Sequence, residues 1–218
     1  MLFLPEIRLK KICDALIEYL VTDLEECLDS GEENKSYLYL LFHEDEYDNT
    51  SSEYYNQAKE LFLRKESDPR YLKIYPIFDR RRAELPTIHI VVPQDSESIL
   101  SIGDIEGDVY QETLSEKLER GFETQFNLIT TSNNIMEVII INYVLRALLI
   151  GSISNLAVLG FINPRFSVQD LTARPELFPA NTYVKGLAMF ASYSDVIPTV
   201  GKSNGVQRVI FNLNKIKY

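Results

Sequence analysis

The residues best suited to chemistry in this chain lie in one acidic segment, His43 to Asp48. Its sequence, His-Glu-Asp-Glu-Tyr-Asp, could hold a divalent cation through clustered carboxylate oxygens. The spacing matches neither the EF-hand calcium loop nor the helical zinc motif with two histidines one turn apart. We therefore predict a solvated acidic loop. An intracellular, acidic, metal-dependent enzyme stays open as an alternative.

Phosphate binding and nucleophilic catalysis each have one possible signal. Gly201-Lys202-Ser203 matches the last residues of a P-loop, but the glycine required five residues earlier is Val196. The only histidines are His43 and His89, so a Ser-His or Cys-His pair has few places to form. His89 lies in an apolar, β-rich run, which favours a hydrogen-bonded or rim-exposed imidazole. We predict no catalytic residue, metal ligand or cofactor, and hence a protein that is not an enzyme.

Three consecutive arginines, Arg80, Arg81 and Arg82, separate two β-rich runs. Guanidinium groups could bind phosphates, but they also pair with the carboxylates of a protein partner. With Asp79 and Glu84 beside them, a solvated turn or a protein interface explains the run better than a nucleic-acid contact. We treat the three arginines as candidate interface residues.

The net charge of −10 is concentrated near the start of the chain. Residues 1–60 contain 15 acidic and 5 basic side chains, whereas residues 61–218 contain 17 of each. This balance disfavours a broad basic face that grips nucleic acid. It favours a local acidic surface, and an acidic adaptor that binds a basic protein is a second alternative function.

Two features place the chain in a reducing compartment and outside the membrane. Cys13 and Cys27 are 14 residues apart on one predicted helix, about 21 Å along its axis, so they cannot form a disulfide with each other. The most apolar stretch, Ile135 to Phe161, is interrupted by polar residues and is not a spanning helix. Since residues 1–6 do not resemble a secretory signal, we expect a soluble protein.

The first 92 residues predict two helices and three strands. Apolar residues at helical spacing after Pro5 predict an amphipathic helix to Leu28, ended by Gly31. Ser36 to Phe42 reads as a buried strand, and Ser52 to Leu63 as a short helix. Two further β-rich runs bounded by prolines are Tyr71 to Tyr75 and Pro86 to Val92.

The centre of the chain predicts the elements that would form an interface. Pro93 to Val109 is rich in serine, glycine and acids and predicts a long loop. Alternating residues over Lys117 to Thr131 predict a half-buried strand. Asn134 to Ile150 predicts a capped helix that is apolar nearly all round. Since one sheet covers only one stripe of such a helix, we expect part of it to contact a neighbouring protomer.

The remaining runs predict short strands joined by turns: Leu156 to Ile162, Phe166 to Leu171, Tyr183 to Tyr193 and Val206 to Leu213. Together the elements predict an α+β fold with a mixed or mostly antiparallel sheet, a long apolar helix packed on it and an N-terminal amphipathic helix. We expect a single domain over residues 1–218, with an acidic helical region at 1–68 and a loop insertion at 93–109.

The order of these features resembles the tail-terminator and neck proteins of tailed bacteriophages. The resemblance covers roughly residues 70–200, which come after the acidic helix. It is carried by four stretches: Leu85-Pro86-Thr87-Ile88-His89-Ile90, the strand Phe122 to Ile129, Asn133-Asn134 opening an apolar helix, and Phe178 to Phe190. The length, the acidic 1–60 segment and the Pro93 to Val109 loop are more similar to the larger ring proteins of the portal-tail region in crAss-like phages.

The resemblance implies a virion structural protein, assembled in the host cytoplasm, that forms a six- or twelve-fold homo-oligomeric ring as a head-tail connector. Its partners would be adjacent portal, neck or tail proteins, with DNA only as passing cargo and no membrane. An acidic lumen would repel phosphates and let DNA slide. The candidate interface residues are Arg80, Arg81, Arg82, Ile140, Val144, Leu148, Ser96, Ile99 and Asp104.

Overall fold

The computed structural model describes residues 4–43, 51–77, 85–97, 117–171 and 181–198. The helices are α1 (Pro5–Asp29), a 3-10 turn (Glu33–Lys35), α2 (Tyr37–His43), α3 (Ser51–Phe62), α4 (Ile135–Gly151) and α5 (Ile153–Val158). The strands are β1 (Lys73–Tyr75), β2 (Thr87–Glu97), β3 (Lys117–Ser132), β4 (Ile162–Asp170) and β5 (Tyr183–Pro198). The predicted strand at Val206 to Leu213 lies outside the described residues.

The five described strands form one mixed sheet in the order β1-β2-β3-β5-β4. Strand β1 is parallel to β2, and the other neighbours are antiparallel. Helices α1 and α4 lie against this sheet, and α4 contacts its two central strands, β3 and β5. The predicted α+β class with a mixed, mostly antiparallel sheet is therefore confirmed.

One hydrophobic core joins the N-terminal helices to the sheet. Leu9, Leu20 and Leu24 of α1 are fully buried in the same cluster as Ile90 of β2 and Leu128 of β3. The polar side of α1 faces water while this apolar stripe faces the sheet, as expected for an amphipathic helix. Helix α1 is thus anchored to the sheet through its apolar side and presents its charges outward.

Helix α1 follows its sequence signals closely. Pro5 occupies the first turn, and Gly31, with φ of +73°, adopts the left-handed conformation just beyond the end. Both cysteines lie on α1, as predicted, with Cys13 buried and Cys27 half-buried, and both are free thiols. Burial raises the pKa of Cys13 to about 12.

The predicted strand at Ser36 to Phe42 is wrong, because these residues form helix α2. The Ser36 hydroxyl accepts a hydrogen bond from the Tyr39 amide at 3.2 Å, and the Asp23 carboxylate of α1 accepts one from the Tyr37 amide at 2.7 Å. These two acceptors satisfy amides that a helix start leaves without partners. Leu38 is then fully buried. Capping and tertiary burial outweigh the β propensity of the tyrosines.

The predicted strand at Leu156 to Ile162 is also wrong over most of its length. Helix α5 occupies Ile153–Val158, Gly160 turns the chain with φ of +96°, and β4 begins only at Ile162. The short helix buries Leu156, and Phe161 packs edge-on against Phe126 at 5.5 Å between ring centroids. Six residues are too few for periodicity to separate helix from strand.

The boundary of the predicted loop at Pro93 to Val109 needs correction. Strand β2 continues to Glu97 through a bulge between Val91 and Gln94. A bulge accommodates Pro93, which has no amide hydrogen to donate to the ladder. Residues 98–109 of the predicted loop lie outside the described part of the chain.

Strands β3 and β5 are longer than the helical layer that covers them. They pair over 16 residues, from Lys117 opposite Pro198 to Ser132 opposite Tyr183. At about 3.4 Å per residue this ladder is roughly 50 Å long, whereas α4 is about 25 Å long. Residues 94–97 of β2 pair beside the same ladder. Strands β3 and β5 therefore extend well beyond the length of α4.

Candidate interaction surface

Helix α4 is held at its start by a buried ionic cluster. The Asn134 side chain caps the helix by accepting a hydrogen bond from the Met136 amide at 2.9 Å. The Glu137 carboxylate accepts hydrogen bonds from Arg64 at 2.9 Å, Arg70 at 2.7 Å and Ser132 at 2.5 Å. The cluster joins the residues after α3, the end of β3 and the first turn of α4.

The charge of Glu137 is stabilised despite its burial. Burial alone would raise its pKa, but the hydrogen bonds from Ser132, Arg64 and Arg70 outweigh that effect and lower the pKa below its ordinary value of 4.5. The position also places a carboxylate near the positive end of the helix dipole. Both effects favour the ionised form, so the ion pairs tie the first turn of α4 to the residues after α3 and to the end of β3.

The three α4 residues proposed as interface residues are buried within the chain itself. Ile140, Val144 and Leu148 are at most 4% exposed and pack in the hydrophobic core. They are therefore not available to a neighbouring molecule in this conformation. The chain's own sheet and helices supply the extra burial that an apolar helix requires.

A different side of α4 remains exposed and apolar. Ile135, Ile139, Tyr143 and Ile150 are each between 37% and 49% exposed. Their spacing of four, four and seven residues places them on one side of the helix. We call these four residues the α4 stripe. A contiguous apolar stripe on a protein surface marks a contact site more often than a single exposed apolar residue does.

The α4 stripe continues into a groove at its N-terminal end. The groove has a volume of about 440 Å³ and runs between the first turns of α4 and the ends of β4 and β5. Leu171 and Tyr183, both partly exposed, face Ile135 and Ile139 across it. A surface ion pair between Lys185 and Asp170, 2.6 Å apart, lies at the rim. The groove enlarges the apolar area that a partner could cover.

Helix α2 borders the α4 stripe at its centre. The Tyr143 hydroxyl donates to the Leu41 carbonyl at 3.2 Å, and its ring lies 5.5 Å from that of Phe42. Arg146 lies over the Tyr143 ring at 5.8 Å. Leu40 is 53% exposed on the same helix. The surface combines aliphatic, aromatic and arginine side chains, which are typical of protein interfaces.

A second candidate surface is the acidic side and C-terminal end of α1. Glu18, Glu25, Glu26 and Asp29 are exposed, and no basic residue lies in the last turn of the helix. Among the described residues, none of these four has a cationic partner. Glu26 and Asp29 lie in the last turn, near the negative end of the helix dipole, which is unfavourable without an external cation. A basic partner would relieve this repulsion.

Other acids nearby already have partners within the chain. Asp23 accepts from the Tyr37 amide, and Glu32 pairs with Lys35 at 2.6 Å. Glu33 accepts from Lys59 and Tyr55, and these hydrogen bonds lower its pKa. Only some of the acidic side chains on and near α1 are therefore free to meet a partner.

Both histidines are engaged in the fold. His89 is buried, donates through Nδ1 to the Ile77 carbonyl at 3.3 Å and has Thr87 Oγ1 at 3.1 Å from Nε2. The predicted hydrogen-bonded histidine is confirmed. His43 Nδ1 donates to the Tyr39 carbonyl at 3.0 Å, and the two rings stack at 3.9 Å.

Most of the remaining candidate residues lie outside the described residues. Arg80, Arg81, Arg82, Ile99 and Asp104 lie outside the described residues, as do Glu44 to Asp48 of the acidic segment. Ser96 pairs with Glu123 in the β2–β3 ladder. Within the described ranges, no three histidine, cysteine or acidic side chains are grouped so that they could hold a metal ion.

No protein-family model and no curated protein matches this chain. In the part of the chain that the structure describes, none of the helices has the length and apolar character needed to cross a membrane.

Proposed function

We propose that this chain is a virion structural subunit that assembles into a homo-oligomeric ring in the neck region joining head to tail of a phage. The observation that carries the proposal is the α4 stripe with its groove. Each half-exposed apolar side chain gains about 1 kcal/mol when a partner covers it. The stripe therefore favours association, and its fixed position on the sheet gives the contact a defined geometry.

A ring follows if the stripe meets a different surface of the next copy. The stripe would meet an apolar surface of the next copy, since contact with the unpaired carboxylates of α1 would bury charge without a partner. A contact between unlike surfaces is head-to-tail, and it closes into a ring when the rotation between neighbours divides a full turn. The charge pattern along α1 would then help to select the orientation of each neighbour.

The connector role rests on the resemblance together with two features of the fold. Strand β3, the helix opened by Asn133-Asn134 and strand β5 occur in the order that the resemblance requires. Strands β3 and β5 extend beyond the length of α4 and could reach an adjacent ring. Acidic side chains without partners on α1 would repel the phosphates of passing DNA if they line the channel.

Substitution of the stripe tests the proposal. We expect Ile139→Glu to reduce assembly of purified chain strongly, because it places a charge in an apolar contact. Val158→Glu is the matched control, since Val158 is an 86% exposed apolar residue outside the stripe. The particle mass of each variant would be measured by light scattering. Equal assembly by both variants, or absence of the protein from isolated phage particles, would contradict the proposal.

A further inference from the structure

The two edges of the sheet differ in length. Strand β1 forms one edge with three residues, whereas β4 forms the other with nine. In the part of the chain that the structure describes, β4 pairs with β5 on one side and with no strand on the other. The outer side of β4 therefore presents backbone N–H and C=O groups that a further strand could bond.

Features that discourage strand pairing are present only at the two ends of β4. Pro164 and the bulge before Arg165 interrupt its start, and Asp170 ends it with a charge. Between them, residues 166–169 read Phe-Ser-Val-Gln and contain no proline, glycine or charged side chain. The middle of this edge is therefore open to pairing.

The direction of the backbone groups decides which residues of β4 can bond a further strand. The Gln169 carbonyl oxygen lies 3.5 Å from the point that a Cβ atom would occupy at Gly186, its partner in β5. The backbone groups of Gln169 therefore point toward β5. Because these groups alternate along an antiparallel strand, those of Phe166 and Val168 point to the open edge. The side chains of the same two residues are half-buried and pack against the core.

We infer that this edge pairs with the β4 edge of a second copy of the chain, antiparallel and about a two-fold axis at Ser167. Phe166 of each copy then lies opposite Val168 of the other, so two apolar cross-strand pairs form on one face of the joined sheets. The charged residues of the strand are Arg165 and Asp170, whose charges cancel. The two edges therefore do not repel each other.

Other positions of the axis pair the strands less well. An axis at Val168 would place the apolar Phe166 opposite the charged Asp170. An axis at Phe166 would keep only residues 165–167 in regular pairing, because the bulge lies before Arg165. An axis at Ser167 pairs residues 165–169 and avoids both problems.

This contact goes beyond the proposed ring and does not depend on it. A head-to-tail contact closes copies into a ring, whereas a two-fold contact joins copies in pairs. Between assembled rings the β4 edges join two rings, and in a chain that forms no ring they give dimers. Five paired residues in each copy make a small interface, so covalent trapping is the suitable assay.

Disulfide trapping in the full-length chain tests the register. In a Cys27→Ser background, Ser167→Cys places two thiols opposite each other at a non-hydrogen-bonded position, where Cα atoms are about 4.5 Å apart and a disulfide can form. Gln169→Cys is the matched control, because Gln169 is also exposed on the same face of β4. Its two copies lie about 13 Å apart in this register, too far for a disulfide. On non-reducing gels we expect Ser167→Cys to form covalent dimers at least about tenfold faster than the control.

A mixture of variants tests the antiparallel direction. Arg165→Cys and Gln169→Cys lie opposite each other in this register, so the mixture should give mixed dimers, identified by mass spectrometry of the linked peptides, while neither variant should dimerise alone. Equal rates for Ser167→Cys and Gln169→Cys, or a faster control, would overturn the inference and leave the proposed function standing. Dimers trapped at Ser167 in a protein that forms no rings would support the inference and overturn the proposed function.

Discussion

Replacement of Glu137 by glutamine should destabilise the fold more than any surface charge change of the same kind. The Glu137 side chain is only 7% exposed and accepts hydrogen bonds from Arg64, Arg70 and Ser132. Removing one partner of a buried ion pair costs about 3–5 kcal/mol. Arg70 is 42% exposed and can turn to water, so the lower end applies. We expect a loss of about 3 kcal/mol in the free energy of unfolding.

Urea unfolding followed by circular dichroism measures this loss. The midpoint should fall while the slope stays constant, and the melting temperature should fall by about 6–12 °C for a chain of this size. Asp170→Asn is the matched control, because it also neutralises an ion-paired carboxylate but one that is 88% exposed. We expect its effect to stay within about 0.5 kcal/mol. If both variants unfold at the same urea concentration as the unaltered chain, the ionic cluster does not anchor α4.

The pH dependence of the same variant provides a second readout. The folded-state pKa of Glu137 lies below its ordinary value of 4.5. Its contribution is therefore fully present above about pH 4.5 and is lost as the pH falls through the lower folded-state value. The stability difference between the unaltered chain and Glu137→Gln should be constant from pH 5 to 8 and should shrink toward pH 3. A difference that grows on acidification would refute this assignment.

Two further predictions concern buried groups. In the native protein Cys27 should react with a thiol reagent at pH 8 while Cys13 reacts only on unfolding, because burial raises the pKa of Cys13 to about 12; mass spectrometry of labelled peptides checks this. Thr130→Val should stabilise the fold by up to about 1 kcal/mol, because the buried Thr130 hydroxyl has no hydrogen-bond partner among the described residues. Thr131→Val should destabilise it by about 1 kcal/mol, since Thr131 bonds Thr87 at 2.6 Å; thermal melts that rank the two variants in the opposite order would contradict this account.

Long elements with clear end signals could be predicted from the sequence. Helix α1 lies between Pro5 and Gly31, and the predicted helix at Ser52 to Leu63 corresponds to α3. Strand β3 alternates in burial over residues 123–130, as its sequence does. In each case the periodicity extends over enough residues to distinguish helix from strand.

Short apolar elements could not be predicted, because their structure depends on distant contacts. Helix α2 takes one of its capping acceptors from Asp23, fourteen residues away in sequence. Helix α5 is six residues long and is fixed by burial of Leu156. Local propensity favours a strand at both places, and tertiary contacts override it.

The candidate surface was predicted in part. The sequence indicates that α4 is apolar nearly all round, but this pattern cannot show which side meets the sheet. Ile140 and Ile139 are chemically identical, yet the first is buried and the second is 41% exposed. The side that meets the sheet depends on tertiary contacts, including the Glu137 cluster, whose arginines are more than sixty residues distant in sequence. The unfavourable charge order on α1, in contrast, can be read directly from the sequence.

The most direct test of the central claim is the symmetry of particles formed by the purified chain, viewed by electron microscopy. We expect closed rings of six or twelve 25.1 kDa chains with a central channel. It also predicts that Ile139→Glu abolishes these rings while Val158→Glu does not. A chain that remains monomeric at all accessible concentrations, or that assembles into open filaments, would contradict it.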